Sequence, residues 1–506
     1  MIALTAADIA LVTGGHVTST LDPTTVFRAV TTDSREVGGA TAPLYVAKPG
    51  EHADGHDFID AALAAGAPGV LAERETHDPA SHAPHPAVIV PDAVLAMGAL
   101  AREVVRRIRE HSPTTVIGIT GSAGKTTTKD LLAAILATQG PTVAPIGSFN
   151  GEVGVPLTVF RAELQTRYLV VEMGADGVGN IAYLCDMVAP DIGVVLMVGT
   201  AHAGSFGGVE NIAATKGELV EALGPEGVAI LNRDDARVTA MAQRTSARVC
   251  WFSTDDDTAE LIADDVRAGT ASQVALARGL HTDDDGRPAF ELVLGTDTHA
   301  AGLPVQSGLT GVHHAANAVA AAAAASAAGV DPQTIARVLE GLGPTSRFRM
   351  ERTERADGVS IINDAYNANP ESMRAALKTL ATLGRATGRR TWAVLGEMLE
   401  LGDAHIREHT LVGETVVRLN IAQLLVVGAG ARALYIGALN EGSWGEEAHF
   451  AADVAEAEAF LAEHLEPGDI VLVKSSNGAG LAQLGERVAT VVDSSPAGSH
   501  QKEDRA

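Results

Sequence analysis

Residues 118–128 read Gly-Ile-Thr-Gly-Ser-Ala-Gly-Lys-Thr-Thr-Thr, and each residue type there has a use against a phosphate. Gly121 and Gly124 let the backbone take positive φ and come close. The N–H groups around Gly121, Ser122, Ala123 and Gly124 can then converge on phosphate oxygens where a helix starts. Lys125 supplies a point charge, and the Thr126 hydroxyl, with Thr127 beside it, a ligand for Mg2+. Ile119 stands where the longer motif G-x-x-x-x-G-K-[ST] has its first glycine, so this loop is a shortened variant. A glycine-rich turn between strand and helix is common in α/β proteins, but three threonines after Gly-Lys are not. Nucleotide binding is therefore the expectation.

Such a loop names no reaction, so the polar residues at neighbouring strand ends matter. The run Tyr168-Leu169-Val170-Val171 stops at Glu172, a carboxylate at a strand's carboxyl end and a candidate Mg2+ ligand, directly or through water. His202 follows the strand at 192–197 and reads either as a metal or phosphate contact or as an exposed histidine. Lys216 lies on a helix opening near Asn211, where a lysine by itself is a solvated charge. The polar run 232–235 could cap a helix or touch a nucleotide. Asn317 opens an alanine-rich helix and offers the donor and acceptor that an adenine edge uses, or else bonds its own backbone. Further on come Arg349, in Arg347-Phe348-Arg349-Met350-Glu351, and the loop Asn363-Asp364-Ala365-Tyr366-Asn367-Ala368-Asn369-Pro370. A turn needs Asn and Pro, but not Asp364, Tyr366 and three asparagines together.

The elements that must position these residues fall into three α/β segments and a tail. Residues 1–110 carry short strands, small helices and a closing charged helix at 94–110. Residues 111–344 alternate apolar strands with helices, which argues for a mostly parallel sheet, and the Asp-rich stretch 255–302 reads as inserted antiparallel strands. A second alternating unit fills 345–493, and 494–506 reads as a flexible polar tail. A length of 506 residues suits about three domains. The net charge of −26 argues against a nucleic-acid partner, which needs a basic face. Residues 315–330 are mostly alanine and too weakly apolar to span a membrane. Two cysteines and an opening without a charged-then-apolar leader set the expectation of a reducing cytoplasm.

Taken in this order, the motifs resemble those of the Mur ligase family, ATP-dependent amide-forming enzymes of peptidoglycan precursor synthesis. The resemblance runs from Thr32 to about Leu481, and the shortened Thr-Gly-x-x-Gly-Lys-Thr loop is a family mark. It implies an N-terminal mixed α/β domain for a UDP-muramyl substrate, a central P-loop domain for ATP and a Rossmann-like C-terminal domain. Lys125 and Thr126 would hold ATP phosphates and Mg2+, and Glu172 and His202 would serve a second metal. Lys216 matches a family lysine that CO2 converts to a carbamate able to orient Mg2+. Asn317 would read adenine, Arg349 would contact an ATP phosphate and Asp364 would hold ribose. Ser34 and Arg35 in Asp33-Ser34-Arg35, together with Asp54-Gly55-His56-Asp57, resemble the substrate-domain signatures, and Asn150 matches a substrate-side asparagine.

The loop with Tyr366, Asn367 and Asn369, followed by Ser372-Met373, resembles the branch that adds D-alanyl-D-alanine to UDP-N-acetylmuramoyl-tripeptide. The Asp-Asn-Pro-Arg signature of the diaminopimelate-adding branch is absent. Gly151, His314 and Lys474-Ser475-Ser476-Asn477 depart from the family pattern, which bears on fine substrate contacts rather than on the reaction class. The resemblance implies small-molecule partners, no membrane span and a monomer. Two rival readings stand beside it: a sister ligase adding a single amino acid, and a P-loop ATPase acting on a protein partner.

Overall fold

Strands buried on both faces read as unbroken apolar runs, as Leu44–Ala47 and Val70–Ala72 do inside the first sheet. Leu44–Ala47 lies between Val30–Thr31 and Val70–Ala72, with Ala87–Ile89 beyond, all parallel; His16–Val17 closes the far edge antiparallel. The computed structural model describes residues 1–39, 43–50, 53–199, 206–442 and 446–490. The tail expected at 494–506 lies outside them.

The helix Ala93–His111 leads out of this sheet. Its buried residues Ala93, Met97, Leu100, Val104 and Ile108 recur at three- and four-residue spacing, the mark of one apolar stripe. Asp92 caps it by accepting from the Leu95 N–H.

The central sheet has nine strands. From one edge they run Leu303–Gln306, Pro288–Gly295, Gln273–Thr282, Arg248–Ser253, Val228–Asn232, Ile192–Val195, Thr115–Thr120, Tyr168–Glu172 and Thr142–Val143. Pairing is parallel from Gln273–Thr282 onward, and the first two strands are antiparallel. The stretch expected to be wholly antiparallel therefore differs in its first strand, Gln273–Thr282, which pairs parallel on one side and antiparallel on the other. The helix Ala259–Arg267 inside that stretch supplies the crossover that a parallel connection needs.

Thr115–Thr120 sits in the sheet interior, with Val116 facing one core and Ile117 and Ile119 the other. The alanine-rich helix His314–Ala327 is almost wholly buried against the helix Lys125–Ala137 and the sheet. Methyl side chains suit a helix packed closely against both another helix and the sheet, with Val319 the larger apolar side chain buried among them.

The third sheet, in the order Glu351–Glu354, Ser360–Asn363, Ile470–Lys474, Thr391–Leu395, Gln423–Val427, Ala448–Ala451, is parallel except for its first strand. Contacts divide the chain into two compact units. One comprises Met1–Asp283 with Arg287–Ser346, and the other Asp284–Gly286 with the chain from Arg347. The first unit thus holds both of the first two sheets.

Candidate active site

The glycine-rich loop leaves Thr115–Thr120 at the sheet's carboxyl edge and enters the helix Lys125–Ala137. Gly124 is left-handed (φ 86°), and a Cβ there would fall 2.3 Å from the Asn317 Oδ1 atom, so conformation and space both demand glycine. No side chain caps this helix start, which leaves its first N–H groups facing the loop. The rest of the loop is pinned. The Ser122 N–H donates to the Met197 carbonyl at 3.0 Å and the Gly199 N–H to the Ser122 Oγ at 2.9 Å. Lys125 folds back, its Nζ donating to the Gly121 carbonyl at 2.8 Å. Ala123 and Thr127 are half-buried beside it.

Thr126 and Glu172 meet beneath the loop. The Thr126 hydroxyl donates to Glu172 Oε2 at 2.9 Å, and the Asn150 amide donates to Glu172 Oε1 at the same distance. Glu172 is 1% exposed, so both its oxygens are held in place. Among the described residues no three His, Cys, Asp or Glu side chains gather into a cage. A hydroxyl and one carboxylate are nonetheless the hard oxygen donors that suit Mg2+, which keeps several waters and shares its sphere with substrate phosphates. His202 lies outside the described residues. Asn317 is buried, with its Oδ1 accepting from the Thr128 hydroxyl at 3.4 Å and its amide nitrogen 3.1 Å from His314 Nδ1. It therefore packs directly against the phosphate loop.

Lys216 is not a solvated charge. It is 7% exposed and makes no hydrogen bond or ion pair with any described residue; burial first, and the charge of Lys125 second, pull its ammonium down to about 7. Its helix, Val209–Glu221, sits close to the sheet because Gly118 and Gly193 lack side chains: a Cβ on either would lie 3.0 Å from Leu219. The two residues after Lys216 fix the helix laterally. Gly217 leaves room for the Arg244 guanidinium, which donates to the Ala213 and Ala214 carbonyls and to Glu221. Glu218 accepts from the Gly179 and Ala182 N–H groups at 2.7 and 2.9 Å, tying in the start of the helix Asn180–Val188. The run 232–235 turns out to cap: Asp235 accepts from the Arg237 and Val238 N–H groups.

In the second unit, Asp364 follows the strand Ser360–Asn363. Its Oδ2 accepts from Lys474 at 2.6 Å and its Oδ1 from the Met350 N–H at 3.0 Å. Lys474 is 2% exposed and also donates to the Asn367 carbonyl at 2.9 Å; burial lowers its pKa, against the opposing pull of Asp364. Arg349 lies over the Tyr366 ring at 4.2 Å, flanked by Phe348 and Met350, both left-handed with φ 59° and 52°. Two non-glycine residues in that region store strain, and strain of this kind clusters at ligand sites. Asn369 caps the helix Pro370–Thr387 by accepting from the Ser372 N–H, and Asn367 accepts from the Ala368 N–H.

The N-terminal candidates lie at the carboxyl ends of adjacent strands. Ser34 and Arg35 form one turn after Val30–Thr31; Arg35 points to solvent and holds the Asp33 carboxyl at about 2. Asp54 caps the turn Gly55–Phe58, and the His56 backbone N–H first, then Arg74 at 2.8 Å and His56 Nδ1 at 2.6 Å, hold its carboxyl well below the usual range. Because His56 Nε2 accepts from the Glu73 N–H, the ring proton sits on Nδ1, toward Asp54.

Sequence reasoning passed over Lys129, Glu218 and Arg244, and mentioned Lys474 only as part of a divergent stretch. Each is a helix or strand-end residue with contacts to another segment of the chain, which no local pattern marks.

Three family models match this arrangement in order: the Mur ligase family catalytic domain over residues 26–104, the middle domain over 119–325 and the glutamate ligase domain over 348–477. The chain belongs to the Mur ligase family. Among its relatives, the UDP-N-acetylmuramoyl-tripeptide–D-alanyl-D-alanine ligase of Mycobacterium tuberculosis is 44% identical, with 96% of this chain and 98% of the relative covered. The ligase of the same name from Bacillus subtilis is 32% identical over the same shares. MurF from Acinetobacter baumannii superposes with a TM-score of 0.80 at 28% identity, covering 96% of this chain and 99% of that one. MurF ligase from Thermotoga maritima, solved in complex with ADP, gives 0.72 at 27% identity over 91% and 97%. No helix among the described residues is long and apolar enough to cross a membrane.

Proposed function

We propose that this chain is an ATP-dependent ligase that joins D-alanyl-D-alanine to UDP-N-acetylmuramoyl-tripeptide in peptidoglycan precursor synthesis. The observation that carries the reading is a phosphate loop backed by the Thr126–Glu172 pair, in a chain similar from end to end to ligases named for that reaction. A terminal carboxylate oxygen of the tripeptide attacks the γ-phosphorus and ADP leaves. The dipeptide amine then attacks the acyl carbon, loses a proton, and phosphate departs with the former carboxylate oxygen.

The chain's part is positioning and charge stabilisation. The loop Gly121, Ser122, Ala123, Gly124 with Lys125 and Thr127 holds ATP phosphates, Asn317 meets adenine, and Arg349 and Asp364 take a phosphate and the ribose. Thr126, Glu172, His202 and Lys216 hold Mg2+, which neutralises phosphoryl charge when bound. Lys216 acts there as a carbamate: its neutral amine adds to CO2 and loses a proton, leaving a carboxylate-like group. A buried amine poised near 7, with Lys125 acting on it and no hydrogen bond or ion pair to any described residue, supports this. Ser34 and Arg35 serve the uridine diphosphate, and Asn150, Tyr366, Asn367 and Asn369 the peptide side.

In the same reading, residues 1–110 form the UDP-muramyl domain, 111–344 the ATP domain and 345–493 the Rossmann-like domain. The enzyme works as a cytoplasmic monomer, a placement supported by its two buried free thiols.

Phosphate release in the presence of ATP and UDP-muramyl-tripeptide tests the proposal. D-alanyl-D-alanine should drive it and single amino acids should not. Dipeptide-independent release would favour the ATPase alternative, and release driven by a single amino acid a sister ligase.

A further inference from the structure

Lys129 is a lysine 2% exposed on the helix that carries the phosphate-loop residues, and nothing in the reaction above uses it. Its Nζ pairs with Asp130 at 2.5 Å and donates to the carbonyls of Pro145 and Gly147, both at 3.1 Å. Burying an ammonium is costly unless its donors are satisfied, so these contacts are where the lysine contributes. The carbonyls belong to the segment that leads into Asn150. That segment carries the exposed apolar side chains Ile146 and Phe149, which by themselves give it little reason to stay in place.

The contacts close a ring. Thr126 and Lys129 lie one helical turn apart. Thr126 holds Glu172 Oε2 directly; Lys129 holds the segment whose Asn150 amide holds Glu172 Oε1. The Asn150 carbonyl also accepts from the Gly174 N–H at 2.8 Å, just past Glu172. One helix therefore grips both oxygens of the carboxylate, one of them through a loop that Lys129 anchors.

We propose that Lys129 is a positioning residue that sets the orientation of Glu172, and hence the Mg2+ affinity of the nucleotide complex, through the 145–150 segment and Asn150. The proposal rests on the reading of Glu172 as a Mg2+ ligand. Groups that orient a ligand typically change metal affinity ten- to a hundredfold when removed.

The test is calorimetric binding of ADP by the full chain at a series of Mg2+ concentrations. Lys129→Met should raise the Mg2+ needed to tighten ADP binding by about tenfold or more, while ADP affinity without Mg2+ stays at the wild-type value. Asn150→Ala should produce a similar rise. The double variant should be no worse than the more severe single, because both act on one contact chain. Lys129→Arg, which keeps a donor at that place, should recover most of the affinity. A wild-type Mg2+ response in Lys129→Met, an equal loss of ADP affinity with and without Mg2+, or additive effects in the double variant would overturn the inference. Wild-type ADP binding indifferent to Mg2+ would instead overturn the metal reading of Glu172, and this inference with it.

Discussion

Thr126 and Glu172 were readable as a pair in prospect, because a hydroxyl after Gly-Lys and a carboxylate at a strand end both follow from local pattern. Lys216 was legible only through the family resemblance, since a helical lysine by itself is a solvated charge. Burial without a hydrogen bond or ion pair to any described residue separates it from Lys129 and Lys474, which are buried but paired with Asp130 and Asp364. Asn369, polar in a site loop, also has a structural task, its side-chain oxygen capping a helix. Lys216→Ala should lower ligation at least a hundredfold, on the order of 3 kcal/mol of lost transition-state stabilisation. Short carboxylic acids added to that variant should restore part of the rate, because they can replace the carbamate's oxygens. Phosphate release with all substrates present reads both effects, and undiminished activity in the variant would remove the carbamate from the mechanism.

The alternation of apolar strands with helices, read from period and length, is what the central and C-terminal sheets display. Close approach between elements left no such trace. Gly118 looks like any strand glycine until Leu219 of the Lys216 helix is found against it, and Gly217 looks dispensable until Arg244 is found in the space above it. Gly118→Ala should therefore overpack this contact, costing about 1–3 kcal/mol and shifting the helix that carries Lys216. Urea unfolding should report the stability loss, and the rate should fall with no change in the phosphate loop's own residues.

In the second unit, the helix His405–Arg418 holds the segment after Thr391–Leu395 through His409. That ring is fully buried; its Nε2 accepts from the Met398 N–H at 2.9 Å and its Nδ1 lies 2.8 Å from the His405 carbonyl. Burial depresses its pKa from 6.5 to about 4, so the folded ring stays neutral where the unfolded one gains a proton. Stability from this group is fully present above pH 6.5 and is lost as pH falls toward 4, because the unfolded state then binds more protons. Thermal melting across that window should show the decline, and His409→Gln should flatten it.

Over the whole molecule, each compact unit has apolar clusters of its own, with Ile362, Leu395 and Leu472 among those of the second. Length anticipated more than one core and the acidic net charge argued against a nucleic-acid partner, but single-chain pattern could not mark which residues from distant segments share a carboxylate. If the carboxylate is activated by phosphoryl transfer before the amide forms, its oxygen atoms report it. The tripeptide is prepared with heavy oxygen in its terminal carboxylate and incubated with ATP, D-alanyl-D-alanine and the full chain, and the products are analysed by mass spectrometry. The expected outcome is a dipeptide-extended product retaining one heavy oxygen and a released phosphate carrying the other. Extended product accompanied by unlabelled phosphate, or phosphate release without any extended product, would contradict it.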